Sequence, residues 1–391
     1  MTSLFRKCVL VLALSIPILL LTSCKGAAQP RSRGETQVAT LAAVGDIFLS
    51  EAVLKDAKQV SGAYDFTPFL SGVADTLSGA DITIGNFEGN FFGEPYDRNN
   101  APDAFATALR TVGFDILQTA NSYSIRKGLR GLEQTKTIIE SAGISALGTY
   151  TSAADREDSL VHIREVNGIR IAFVAFTKGL DSMSLPDGAE HCVNLLYTDY
   201  TTDYLEINES GISAVLGAAK AQNPDIIVAA LHWGSENISE VSETQEKIAD
   251  LLFQNGADVI LGTHSHRIGE VEVRQIASAS GARKDVVLAY SLGDFCAADE
   301  NDVASSLILN LEFTKDSATG ITTISDVSYT PLAIADYGAG RAERFAVLDV
   351  NKEVALYEGN YFDRVSEELY EALLAIPEEI TARTTPAKDE P

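Results

Sequence analysis

Positive charge is scarce in this chain. Its 391 residues hold 30 Lys and Arg against 55 Asp and Glu, a formal net charge of −25, and no Lys/Arg-rich run occurs anywhere. A surface with that excess of anions repels a phosphate backbone, which argues against nucleic-acid binding. Cysteine is nearly absent too: there are four, none paired as Cys-x-x-Cys, which argues against a cysteine zinc site and a small disulfide-stapled fold. Long apolar runs are missing except for one at the N-terminus, and no internal repeat is found. With 46% hydrophobic residues the chain is neither disordered nor collagen-like, and it is long enough for one large α/β domain or two average ones.

The one apolar run, Val9 to Leu21, follows Arg6 and Lys7 and contains Pro17. It is too short for a permanent anchor, which needs about 20 residues, and it suits the apolar region of a secretory signal. It ends in Leu21-Thr22-Ser23-Cys24, which resembles the bacterial lipobox, whose cysteine is lipidated and becomes the mature N-terminus. Residues 1–23 then read as a lipoprotein signal peptide and 24–38 as a polar tether. The expected location is extracytoplasmic and membrane-anchored, in the outer membrane if the bacterium has one, since Lys25 rather than Asp follows the cysteine. A plain signal peptide cut nearby, with Cys24 incidental, is the competing reading. Loss of Arg6 and Lys7 leaves the mature chain still more acidic, so the domain is held off an anionic membrane surface. Cys8 leaves with the signal, so Cys192 and Cys296 remain either as one disulfide or as two isolated buried thiols.

From Thr40 onward, short apolar runs alternate with amphipathic stretches. Strands are predicted at Leu41–Val44, Ile82–Gly85, Asp115–Thr119, Ile169–Phe176, Asp225–Leu231, Asp258–Leu261 and Val286–Ser291. Helices are predicted at Pro102–Val112, Leu132–Ala142 and Glu243–Asn255, each followed by a glycine (Gly113, Gly143, Gly256) where a helix ends. This alternation makes the fold class α/β. After Ser291 the pattern changes to two long strands, Ser305–Phe313 and Ile321–Leu332, suited to antiparallel pairing in a second sheet or at a sandwich edge. Residues 39–350 read as one domain, and 351–391 as an acidic amphipathic helix (Asp363–Ala375) with a polar tail from Thr381.

Chemistry-bearing residues gather just after the predicted strands, where open α/β sheets place their sites. They are Asp46, Glu88, Asn121-Ser122-Tyr123, His232, His264, His266 and Asp294. Each has a bland reading alone: a turn aspartate, a loop carboxylate, a core histidine. Together, two carboxylates and three of the chain's five histidines on one sheet edge are a mixed oxygen and nitrogen ligand set for a divalent metal. His162 and His191 have no motif around them and read as structural or surface residues. Glu236 reads either as a group orienting His232 or as an exposed loop acid.

This order of segments resembles the bacterial poly-γ-glutamate capsule biosynthesis family (CapA-like), a branch of the calcineurin-like metallophosphoesterase superfamily. The likeness covers about Thr40 to Phe295. GDIFLS matches the family's GD-x-x-x-G, NFEGN its N-x-E, TANSYSIRKG its ANNH-x-x-D-x-G, LHWGSE its HWG-x-E, ILGTHSH its GHHPH-type segment and YSLGDF its YSLGNF. The resemblance implies a metallophosphoesterase-like two-sheet sandwich flanked by helices. It also implies that Asp46, Glu88, His232, His264 and His266 ligate one or two divalent ions (Mn, Zn or Fe), with Glu88 placed to bridge if there are two. The superfamily's chemistry is attack on phosphorus by metal-activated water.

The chain departs from the family pattern in its third motif. Ser122 stands for an asparagine ligand, Tyr123 for the proton-donating histidine and Arg126 for an aspartate. A phenol with pKa near 10 is a poorer acid at neutral pH than an imidazole near 6.5. Asn121 and Tyr123 are the catalytic candidates that remain there. Arg126, Lys127 and Arg130 beside them read either as the exposed start of the next helix or as binding residues for an anionic substrate. Two functions stay open. One is a metal-dependent hydrolase or transferase acting in synthesis, export or turnover of an anionic envelope polymer such as poly-γ-glutamate. The other is a non-catalytic polymer-binding or assembly lipoprotein with a degenerate metal site.

Overall fold

The structure is a computed structural model and describes residues 36–277, 281, 283–297, 303–337, 344–362 and 365–385. The expected signal segment, Cys24 and most of the expected tether lie outside these residues. Two sheets carry the chain. The first has strand order β13-β12-β11-β1-β2-β3-β4, built from β1 (Thr36–Ile47), β2 (Ile82–Phe87), β3 (Ile116–Gln118), β4 (Ser145–Leu147), β11 (Val303–Asp316), β12 (Thr322–Asp336) and β13 (Phe345–Asp349). The second has order β5-β6-β7-β8-β10-β9, from β5 (His162–Val166), β6 (Ile169–Thr177), β7 (Ile226–His232), β8 (Val259–Thr263), β9 (Val271–Ala277) and β10 (Arg283–Ala289).

The period-2 alternation of each strand sorts its side chains into layers. Leu41 and Ala43 of β1, Ile171 and Phe173 of β6, and Val228 and Ala230 of β7 share one buried cluster between the sheets. Their neighbours face outward under helices. Ala42 and Val44 pack with Phe105, Leu109 and Ile139, while Val174, Ala229 and Leu231 pack with Ile212, Leu216, Ile248 and Leu252. The result is the expected α/β architecture of two sheets flanked by helices. Both faces of β6 and β7 are buried, which is why Ile171–Phe176 and Ile226–Leu231 read as unbroken apolar runs.

Two expectations shift and a third is narrowed. β1 starts at Thr36, so the last residues of the expected tether are strand. The two long late strands join the first sheet, β11 pairing antiparallel with β1 on the side away from β2, and they form its edge with β13. The C-terminal helix runs Glu367–Thr384, through Pro377 and past the expected end. An internal proline costs a helix about 3 kcal/mol, but Leu373, Ile376 and Ile380 continue one buried stripe into the central cluster, and that burial outweighs the loss. Cys192 and Cys296 are both free and buried. Among the described residues no helix is long and apolar enough to cross a membrane.

The two sheets meet at one edge through glycines. A Cβ on Gly45 of β1 would lie 1.9 Å from the carbonyl oxygen of Gly293, and within the second sheet one on Gly262 would lie 2.1 Å from that of Tyr290. Only hydrogen fits there. This approach lets Asp46 N–H donate to Gly293 O and Phe295 N–H to Asp46 O, each at 2.8 Å, so Asp46 and Asp294 sit side by side.

Candidate metal centre

Every ligand candidate lies at or just past a strand end along this seam. β1 brings Asp46, which is completely buried. Its Oδ1 accepts from Asn86 Nδ2 at 2.6 Å and its Oδ2 from the His264 N–H at 2.9 Å. β2 brings Asn86 and leads into Glu88, only 1% exposed. β7 ends in His232, also fully buried, and β8 leads into His264 and His266. These last two adopt φ of 100° and 56°, a backbone region uncommon outside glycine, though entered by histidine more often than by most residues, and one that concentrates at functional sites.

The structure brings all five candidates together. Glu88 Oε1 lies 3.5 Å from His232 Nε2, and Glu88 Oε2 lies 3.6 Å from His266 Nε2. His266 Nδ1 lies 3.7 Å from Asp46 Oδ2 and 2.7 Å from Asp294 Oδ1. The ligand atoms form two groups, Glu88 with His232 and His264, and Asp46 with Glu88 and His266, each spanning no more than 4.8 Å. Glu88 belongs to both groups, from where it would be able to contact either of two ions.

The electrostatics of the bare site are unfavourable. Burial pushes the Asp46 carboxyl up to about 6, against the pull of His266. Burial, then the nearby Asp46 and Asp294 charges, holds Glu88 well above the carboxylate range. Burial likewise keeps His232 far below the ordinary imidazole value and takes His264 down to about 3. His266 runs the other way: burial opposes its charge, but the Asp294 hydrogen bond and Asp46 raise it. Glu88 Oε2 and His264 Nδ1 are buried without a hydrogen-bond partner, a costly state for polar atoms. A divalent cation answers all of this at once, since it requires ionised carboxylates and neutral imidazoles and takes their lone pairs.

The altered third motif borders the cluster. Ser122, 8% exposed, places its Oγ 3.1 Å from His232 Nε2, on the ligand side of that ring. Tyr123 is half-buried, and burial followed by the charges of Glu88, Glu236 and Asp181 raises its phenol further. The side chain of Asn121, expected among the catalytic groups, is instead committed to the fold. Its Nδ2 donates to Asn86 Oδ1 at 3.2 Å and to Phe87 O at 2.7 Å, and its Oδ1 accepts from the Tyr123 N–H. Glu236 is exposed, and the other nitrogen of His232, Nδ1, faces Asn86 at 3.3 Å and Thr263 at 3.4 Å.

The expected basic cluster is divided. Arg126 lies 5.2 Å from the centre of the Tyr123 ring, with Nη1 paired to Asp181 at 3.1 Å. Lys127 stands 4.0 Å from Asp97, and Arg130 is exposed on the helix Gly128–Ser141. Two cations that sequence reasoning missed lie at the site. Lys178, just after β6, donates its backbone N–H to His232 O at 2.8 Å and its Nζ to Gly234 O at 2.5 Å. Arg98 lies 3.9 Å over the Phe48 ring, and that ring is edge-on to His266 with centroids 5.5 Å apart. A signal for it existed, for Arg98 is the sole Lys or Arg between Lys58 and Arg110.

The sequence pattern of the family described as bacterial capsule synthesis protein PGA_cap matches residues 40–299, most of the chain and all of the cluster just built. The chain belongs to that capsule synthesis family. It is similar to the capsule biosynthesis protein CapA of Bacillus anthracis, at 25% identity over 281 residues, covering 69% of this chain and 62% of that protein. It is also similar to the PGA biosynthesis protein CapA of Bacillus subtilis strain 168, at 24% identity over 263 residues, 64% of this chain and 61% of that one. The chain thus spans about three-fifths of the length of these capsule-synthesis relatives. Among solved structures, a phosphatase from Mycoplasma pneumoniae aligns at 11% identity and a TM-score of 0.43, over 76% of this chain and 95% of that one.

Proposed function

We propose that this member of the capsule synthesis family is a metal-dependent hydrolase or transferase acting on an anionic envelope polymer such as poly-γ-glutamate, outside the cytoplasm and lipid-anchored through Cys24. The observation that carries it is the sharing of Glu88 between two ligand groups, with Glu88 Oε2 and His264 Nδ1 left buried and unpartnered. Asp46, Glu88, His232, His264 and His266 would hold one or two ions of the Mn, Zn or Fe kind, which mixed oxygen and imidazole donors suit. A bound ion of this kind supplies Lewis-acid polarisation and a water acidic enough to act near neutral pH.

The rest is done by side chains. Asn86, itself held by Asn121, fixes Asp46 and faces His232. Asp294 holds His266 through Nδ1 and leaves Nε2 towards Glu88. Tyr123, kept as a phenol, donates a hydrogen bond to a leaving group rather than a full proton at neutral pH. Substrates that need little protonation are therefore turned over best. The second reading, a polymer-binding lipoprotein without turnover, is favoured by Tyr123 itself, because no imidazole outside the ligand cluster stands in its place.

Metal content of the purified protein, measured with hydrolysis of a phosphodiester and of poly-γ-glutamate, tests both. Bound transition metal is expected in the native protein and its loss in the variant carrying His264→Ala and His266→Ala. Unchanged stoichiometry in that variant removes the metal centre.

A further inference from the structure

We propose that Arg98, held on the face of Phe48, is the oxyanion receptor of this site, taking a phosphate or carboxylate group of the ligand in the two-pronged grip of its guanidinium. This rests on the reading of the adjacent cluster as a metal centre. At net charge −25 the protein repels an anionic ligand at long range, so a local cation has to counter that field where the ligand docks. Most basic groups near the cluster are already engaged, and Arg267, beside His266, is exposed but has no aromatic ring beneath it among the described residues. Arg126 is neutralised by Asp181. Lys127 faces Asp97, and the Lys178 ammonium is turned onto the Gly234 carbonyl and the Tyr204 ring. Arg98 is exposed, and among the described residues no carboxylate lies within salt-bridge distance of it.

The platform explains why this cation is the useful one. Phe48 is 4% exposed and wedged edge-on against His266, so it cannot swing away. A guanidinium lying over an aromatic face keeps its in-plane N–H donors free, and a planar fork of donors matches carboxylate and phosphate oxygens. The stacking removes rotamer freedom before the ligand arrives, which lowers the entropic cost of binding. The positive charge is felt by Glu88, by His266 and by the Tyr123 phenol. Through Phe48, which meets His266 edge-on, Arg98 stands beside the ligand cluster. The ligand class follows: a substrate with an anionic oxygen next to the bond that the ligand cluster would act on. Phosphoryl oxygens and the α-carboxylate of γ-linked glutamate share that chemistry.

Titration calorimetry of the full mature chain, with and without added Mn²⁺, tests this using inorganic phosphate in one arm and a γ-glutamyl dipeptide in the other. Arg98→Ala is expected to weaken the preferred probe at least tenfold with metal stoichiometry unchanged. Arg98→Lys is expected to recover part of the loss, because it keeps the charge without the fork, and Phe48→Leu to weaken binding less than Arg98→Ala. Preference for phosphate or for the peptide identifies the source of the oxyanion. Native-like affinity in Arg98→Ala, or no binding of either probe by the native protein with or without Mn²⁺, overturns the receptor. Metal stoichiometry, read separately, reports on the centre itself.

Discussion

Adding a divalent transition metal to metal-free protein will release protons and raise the melting temperature, and both effects will fade as the pH falls through about 6. Asp46 is fully buried and its carboxyl is moved from 3.8 to about 6. At about 1.4 kcal/mol per pKa unit, keeping it ionised in the bare site costs about 3 kcal/mol. Glu88 adds to this in the same direction. In the metal-free protein a carboxyl raised in this way stabilises the fold fully below about pH 4 and loses that contribution as the pH rises through about 6. The buried neutral imidazoles do the reverse. His264 contributes above 6.5, and its contribution is lost as the pH falls towards about 3. These trends oppose each other at mildly acid pH, so the metal-dependent increment, and not the absolute melting temperature, is the quantity to read. Metal at a thousand times its dissociation constant stabilises by about 4 kcal/mol. With an unfolding entropy of about 2 cal/mol/K per residue, a chain of 391 residues should gain about 5 °C. His264 is already neutral at pH 5, so the carboxylates together with His266, whose imidazole is raised, set the pH dependence. Affinity should fall about tenfold per pH unit for each proton displaced. Differential scanning fluorimetry from pH 5 to 8, with calorimetry in buffers of different ionisation enthalpy, measures both. A melting temperature indifferent to metal at pH 7, or an affinity flat from pH 7 to 5, would refute the reasoning.

Other consequences can be checked one at a time. Replacing Ser122 by Asn and Tyr123 by His should raise hydrolysis of an ester with a poor leaving group by about 10² to 10⁴, with little effect on an activated ester; equal effects on both would show that protonation is not the deficit. Gly45→Ala places a methyl where the Gly293 carbonyl stands, so it should cost at least about 1–3 kcal/mol and weaken metal binding by shifting Asp46. A variant that melts and binds metal like the native protein would mean that the seam is pliable. Cys24→Ala should move the protein out of the membrane fraction or leave an uncleaved precursor, and retention of a fatty-acid label by this variant would exclude lipidation at Cys24.

Much of this was legible in the sequence because the relevant signals are local. The short apolar run Leu41–Val44 and the longer one Ile171–Phe176 mark buried strands without reference to anything distant. Gly113, Gly143 and Gly256 mark helix ends for the same reason, and all three carry positive φ. Asp46, Glu88 and the three histidines stood out because each follows a strand. What escaped was set by tertiary neighbours. β5 alternates too weakly to be seen, being an edge strand with partly exposed residues along its length. The C-terminal helix outruns its expected end because Ile380 finds the central core. Asn121 looked catalytic from its motif, but its two donors are taken by Asn86 and the Phe87 carbonyl, partners 35 and 34 residues away. Arg98 matters only because Phe48, fifty positions earlier, lies under it.

Asp46 and Glu88 belong to the first sheet and the three imidazoles to the second, with the Gly45–Gly293 contact drawing them together. Neither half of the chain owns a complete binding site. A cation held by these five residues could therefore be captured only after the two layers have docked, which would make loading a late event in the life of the molecule. Which metal ends up in place would then be decided by the supply in the compartment where folding finishes, as much as by the preference of the donor atoms. A protein delivered unfolded across a membrane would take its ion from the far side, out of reach of the pool kept in the cytoplasm.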